Sequence, residues 1–144
     1  ENYWHRKSEE YIISDLMHII FHWFHDYAFS KHGSRYQPLL EKLRGDIYAH
    51  PEYDWTLEMM AERINLSPRS LQKVYKNFAN ISCISEVIES RMIRAKMLLV
   101  RSDFDVGEIS MQCGYRNVEH FCRQFKKHEG CSPSHYRKEH LVQP

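Results

Sequence analysis

Two stretches of this chain repeat one another, and few folds can accommodate the pattern they share. Leu57-Glu58-Met59-Met60-Ala61-Glu62-Arg63-Ile64-Asn65-Leu66 lies over Val106-Gly107-Glu108-Ile109-Ser110-Met111-Gln112-Cys113-Gly114-Tyr115 at an offset of 49. Each has the apolar spacing of a short amphipathic helix, a small residue at its middle (Ala61, Ser110), and four positions later a residue that tolerates positive φ (Asn65, Gly114). Beyond the turn the offset becomes 50. Leu71-Gln72-Lys73-Val74-Tyr75-Lys76 then lies over Phe121-Cys122-Arg123-Gln124-Phe125-Lys126, and Asn80-Ile81-Ser82 over Gly130-Cys131-Ser132. A two-helix unit therefore occurs twice, with one extra residue in the second turn.

When two short helices cross at about 90–120° through a turn of three or four residues, their backbones approach closely. The crossing then needs a small side chain, with Gly or Asn just after it. This is the helix-turn-helix pattern, in which early exposed side chains of the second helix meet base edges in a DNA major groove. The second helices are expected at Arg69–Phe78 and Val118–His128. They alternate core residues (Leu71, Val74, Tyr75, Phe78; Phe121, Phe125) with long polar donors (Arg69, Gln72, Lys73, Lys76; His120, Arg123, Lys126, Lys127). Between the units, Ser82 or Cys83 opens a helix to about Arg101, whose buried side is marked by Val87, Ile88, Arg91, Ala95, Leu98 and Leu99. From Ser82 to Val100 it would span about 28 Å. Major-groove faces on one side of B-DNA recur every ~34 Å, so one chain could reach two of them.

The remaining punctuation is also helical. Thr56 caps a helix over Leu57–Ile64, and Ser67-Pro68 opens the next. Asp103 or Asp105 caps Val106–Cys113, which Gly114 ends; Asn117 caps Val118–His128, which Gly130 ends; and Ser132-Pro133 opens a last short helix. Upstream, a helix is expected from about Tyr36 to His50, before Pro51. Another spans Ser8 to Phe29, with apolar stripes at Ile12, Leu16, Ile19, Trp23, Tyr27 and at Ile13, Met17, Ile20, Phe24. The expected fold is all-α: two helix-turn-helix units (about 56–78 and 105–128) joined by a long linker helix (about 82–101), preceded by an amphipathic N-terminal helix.

Composition narrows the function. With 144 residues, 42% hydrophobic and 27% charged, the chain is a globular domain with at most an appendage, too small for a large enzyme. It carries no Gly-rich phosphate loop, GxSxG elbow or paired catalytic carboxylates, so no catalysis is expected. Cys83, Cys113, Cys122 and Cys131 lack CxxC spacing and follow no signal peptide; they read as reduced thiols of a cytoplasmic protein, with Cys113 and Cys131 in the core. Asp15, His18, His22, His25 and Asp26 interrupt the apolar run Tyr11–Phe29, which excludes a membrane span there. Asp15, His18, His22 and His25 share a face, yet without an HExxH frame or a cysteine they read as its polar side, and neither metal nor cofactor is expected. The start at Glu1, without methionine, suggests a processed chain or a fragment.

Taken together, the stretch from Trp55 to Lys138 resembles the DNA-binding domain of the AraC/XylS family of bacterial transcription regulators. The matching pieces are Trp55-Thr56-Leu57-Glu58-Met59-Met60-Ala61, Leu66-Ser67-Pro68-Arg69-Ser70-Leu71 and Arg91-Met92-Ile93-Arg94-Ala95-Lys96-Met97-Leu98-Leu99. The most specific is Cys113-Gly114-Tyr115 with His120-Phe121-Cys122-Arg123-Gln124-Phe125-Lys126 and Gly130-Cys131-Ser132-Pro133-Ser134-His135-Tyr136-Arg137. With the helix from Tyr36 to His50, the likeness covers about 100 residues. Asn65 and Asn80 stand where the family usually has glycine, and Glu86 where an aromatic is common; looser packing of the first unit is the expected consequence.

The resemblance implies base-reading positions at Arg69, Ser70, Gln72 and Lys73 in the first unit and at Val118, Glu119, Cys122 and Arg123 in the second. Lys76, Arg116, Asn117, His120, Lys126 and Lys127 fall where phosphates would lie. Ser70 and Lys127 are equally explicable as solvated surface. It further implies that residues 1–34 end a sensor and dimerization region, with Ile12, Leu16, Ile19, Ile20, Trp23 and Tyr27 against a second subunit or upstream structure, the alternative being that they fold back on the helix-turn-helix core, and that residues 35–144 are the DNA reader. Promoter DNA and RNA polymerase are the implied partners, and any effector ligand belongs to an upstream domain. The rival reading is a helical protein-interaction module without specific DNA readout. Formal charge fits the division: the whole chain is +1, but residues 1–54 hold 6 lysines and arginines against 9 acids, and residues 55–144 hold 14 against 10. Basic residues are expected to gather on the recognition-helix face.

Overall fold

The computed structural model describes Ile20 and residues 35–140, and the chain divides into two compact units, Glu1–Gln37 and Pro38–Pro144. Ile20 is helical and exposed. The other residues of the expected association stripe, Ile12, Leu16, Ile19, Trp23 and Tyr27, lie outside the described residues, as do Asp15, His18, His22 and His25.

Residues 35–140 form seven helices and no strand. They are α1 over residues 35–49, α2 Leu57–Arg63, α3 Pro68–Ala79, α4 Cys83–Arg101, α5 Val106–Gln112, α6 Val118–Glu129 and α7 Pro133–His140. Side-chain oxygens satisfy orphan backbone donors where α2 to α6 begin. Thr56 accepts from the Met59 N–H, Ser67 from Ser70, Ser82 from Ser85 and Asn117 from His120. Asp105 and Glu108 form a reciprocal capping box. Ser82 rather than Cys83, and Asp105 rather than Asp103, are thus the caps.

The two turns have the same hydrogen-bond geometry. The Leu66 N–H donates to the Ala61 carbonyl at 3.0 Å, and the Tyr115 N–H to the Ser110 carbonyl at 3.0 Å. Between donor and acceptor, Asn65 stands at φ 59° and Gly114 at φ 80°. These are helix C-caps with the left-handed residue just past the last turn. Ala61 and Ser110 are each 1% exposed, as close backbone approach at the crossing requires. At the ends of α3 and α6, Asn80 (φ 59°) and Gly130 (φ 82°) donate to Lys76 and Lys126 carbonyls. Both asparagines take the conformation that their alignment with glycine demands.

Within each unit the two short helices pack together, α2 on α3 and α5 on α6, and α4 packs against α3, α5 and α7. Leu71, Tyr75, Met60 and Ala61 are buried in the first unit. Met92, Ala95, Leu99, Ile109, Cys113, Tyr115, Phe121 and Phe125 form the core of the second. The buried side of α4 is wider than the expected stripe: Cys83, Glu86, Ser90 and Met92 join Val87, Ala95 and Leu99, while Ile88, Arg91 and Leu98 are half-buried. A helix that serves two cores is covered on more than one face. Of the thiols expected in the core, Cys113 is buried but Cys131 is only half-buried; Cys83, at the start of α4, takes its place inside.

Glu86 does not loosen the first unit. Its carboxylate is fully buried, accepting from Arg44 Nε of α1 at 2.5 Å and from the Tyr75 hydroxyl of α3 at 2.6 Å. A buried charge with two such donors is compensated where an unpaired one would be costly. Burial, with the Glu86 carboxylate beside it, raises the Tyr75 hydroxyl far above its ordinary pKa, so it stays a donor.

Candidate nucleic-acid interface

The second helix of each unit has one buried stripe and one open face. On α3, Leu71, Val74 and Tyr75 are buried, while Arg69, Ser70, Gln72, Lys73 and Lys76 are exposed. The helix contains no acidic residue. Ser70 accepts a hydrogen bond from the Ser67 hydroxyl at 2.8 Å, so part of its hydrogen-bonding capacity is used at the cap.

On α6, Phe121 and Phe125 are buried, while Val118, Glu119, His120, Arg123, Lys126 and Lys127 are exposed. Cys122 is half-buried and packs against the second core, so only the edge of its side chain reaches the open face. Asn117 is exposed and spends its side-chain oxygen on the His120 N–H at 2.9 Å, a bond in which its amide N–H groups take no part. His120 meets the Tyr115 ring edge-on at 5.6 Å. Among the described residues no acidic partner engages Arg69, Lys76, Arg123, Lys126 or Lys127.

Several cations elsewhere are committed to the fold. Lys96 pairs with Glu129 at 3.0 Å; against the burial that would raise it, Lys96 and His128 hold that carboxyl below its ordinary pKa. Arg137 of α7 donates to the carbonyls of Leu99 and Phe104, closing the end of α4. Arg91 donates to the carbonyls of Pro51 and Tyr53, and Arg94 to the Glu52 carboxylate. These two arginines hold loop 51–54, which precedes the first unit, against the turn of the second. The fit is tight: a Cβ on Gly114 would stand 2.8 Å from the Glu52 carbonyl oxygen. Burial pushes the Cys113 thiol and the Tyr115 hydroxyl beside this contact up to about 12, so both stay neutral at physiological pH.

Sequence patterns did not point to this loop contact. Arg91 read as a marker of the buried side of α4, and Arg94 as part of a family-like run; their partners lie about 40 positions away. Arg116 is the extra residue of the second turn. Its Nη2 donates to Asp54 Oδ2 at 2.7 Å, and both side chains are largely exposed.

A model of the helix-turn-helix domain family matches residues 60–139. The chain is similar to an uncharacterized HTH-type transcriptional regulator of Escherichia coli, YdiP, 38% identical over 84 residues that cover 58% of this chain and 28% of YdiP. It is also similar to the regulatory protein PocR of Salmonella typhimurium, 31% identical over 93 residues covering 65% of this chain and 31% of PocR. The chain thus spans about a third of the length of these curated relatives. Among solved structures, the C-terminal domain of AraT, a response regulator from Geobacillus stearothermophilus, superposes with a TM-score of 0.70 at 34% identity, covering 74% of this chain and 88% of that one. The DNA-binding domain of AdpA, a global transcriptional factor solved with a target DNA, gives 0.67 at 25% identity, covering 69% and 90%.

Proposed function

This chain belongs to the AraC-type helix-turn-helix family of transcription regulators; from that premise we propose that it is a sequence-specific DNA-binding protein whose α3 and α6 enter successive major grooves on one side of promoter DNA. The observation that carries this reading is the repeated crossing. It presents two equivalent helices with exposed donors, joined through the 19-residue α4, about 28 Å long.

In this reading Arg69, Ser70, Gln72 and Lys73 face bases in one groove, and Val118, Glu119, the edge of Cys122 and Arg123 face bases in the next. Arginine and lysine match guanine O6 and N7, glutamine matches adenine N6 and N7, and glutamate accepts from cytosine N4. Lys76, Arg116, the Asn117 amide, His120, Lys126 and Lys127 face phosphates, which fix register without reading sequence. The regulator acts in the cytoplasm, is not an enzyme, and meets RNA polymerase at the promoter. Residues 1–34 pair two copies through Ile12, Leu16, Ile19, Ile20, Trp23 and Tyr27, and any effector ligand binds a domain upstream of this chain.

Duplex affinity measured across a salt series tests the reading. Each neutralised phosphate contributes about 0.9 to the slope of log K against log salt, so six contacts give about −5. Binding that ignores salt would contradict it and point to a protein-only module.

A further inference from the structure

We propose that Asp54 sets the affinity and salt sensitivity of the second helix-turn-helix unit by competing with a DNA phosphate for Arg116. The inference rests on the phosphate-facing role of Arg116 proposed above.

Arg116 has no counterpart in the first unit, because it is the additional residue of the second turn. It lies between Tyr115, which is buried, and Asn117, which caps α6, so its backbone is fixed at the start of a recognition helix. Its side chain is 88% exposed, and its partner Asp54 is 73% exposed. Contacts that do not involve Arg116 hold Asp54 there. Loop 51–54 is fastened by Arg91 and Arg94 and seated on Gly114.

An ion pair this exposed is weak and readily exchanged. A duplex brings dense phosphate charge to the same place, and Arg116 can leave Asp54 for it. Asp54 then remains beside the bound backbone as an unpaired anion. One carboxylate thus acts twice, neutralising the cation in the free protein and repelling the backbone in the complex.

A double-mutant cycle on the whole chain tests this. Wild type, D54N, R116Q and D54N/R116Q are titrated with a random-sequence duplex at several salt concentrations. D54N is expected to bind about two- to fivefold tighter at low salt, the range of an exposed pair. Its salt slope should steepen by a fraction of the about 0.9 that one charge contributes, because no freed carboxylate is left to gather a counterion in the complex. In the R116Q background the same substitution should change affinity much less. Equal tightening in both backgrounds would reduce the effect to diffuse charge and overturn the inference. Unchanged or weaker binding by D54N would overturn it too, since the pair would then be inert or would orient Arg116 for DNA. These outcomes leave the DNA-reading function standing, whereas wild-type protein with no salt-dependent duplex binding would remove both.

Discussion

Asn65 and Gly114 occupy the same place in the two turns, at φ 59° and 80°, and yet they answer to different constraints. Asn65 is exposed, whereas loop 51–54 presses on Gly114. A side chain at 114 would meet the Glu52 carbonyl at 2.8 Å in addition to the left-handed backbone penalty of about 1–2 kcal/mol. Gly114→Ala is therefore expected to destabilise the protein by about 3 kcal/mol, adding the cost of overpacking against rigid backbone. Asn65→Gly should stay within about 0.5 kcal/mol of wild type, because relieved strain is offset by the greater freedom of glycine in the unfolded chain. Urea unfolding of the two variants measures both, and equal losses would remove the distinction. At this scale the left-handed turn residues were legible in the sequence, since a repeat and a local backbone preference suffice to find them. The second demand on Gly114 was not, because Glu52 lies 62 positions away.

Among the elements, α4 shows most clearly where pattern reading stops. Its length and capping residue follow from local chemistry, and the expected helix differs little from Cys83–Arg101. The apolar stripe alone could not assign Glu86 to the interior. A buried carboxylate is tolerated only where donors meet it, and its donors come from α1 and α3. Glu86 consequently joins α1 to the first recognition helix through Arg44 and Tyr75. Arg44→Met takes the guanidinium from the carboxylate and is expected to cost about 2 kcal/mol, the scale of a hydrogen bond to a charged group, as the guanidinium is half exposed. Replacing Glu86 by Met together with Tyr75→Phe removes charge and donor at once and should be far less damaging than Arg44→Met. Thermal unfolding of both variants checks the order. If the double variant were the less stable, Glu86 would owe its place to something other than its donors.

For the whole molecule, the near-neutral charge is a sum of unlike parts. Glu52, Glu86 and Glu129 are answered inside the fold by Arg94, Arg44 and Lys96, whereas α3 carries cations and no acid. Acids and bases counted along a sequence cannot show this division, because the pairs join residues roughly 30 to 40 positions apart. The all-α class and the doubled unit were visible in the repeat. Which face of each second helix is open could also be read there, since burial follows helical period. The half-buried position of Cys122 and the partner of Arg116 could not. Selection of bound sequences from a random duplex pool tests the two-groove reading most directly, with wild type and Arg123→Ala compared. Wild type should enrich two short elements about one helical turn apart, centre to centre about 10 base pairs. Arg123→Ala should relax preference at one position of one element and lose about 1–3 kcal/mol. A single enriched element, or a wild-type preference that Arg123→Ala leaves intact at every position, would contradict it.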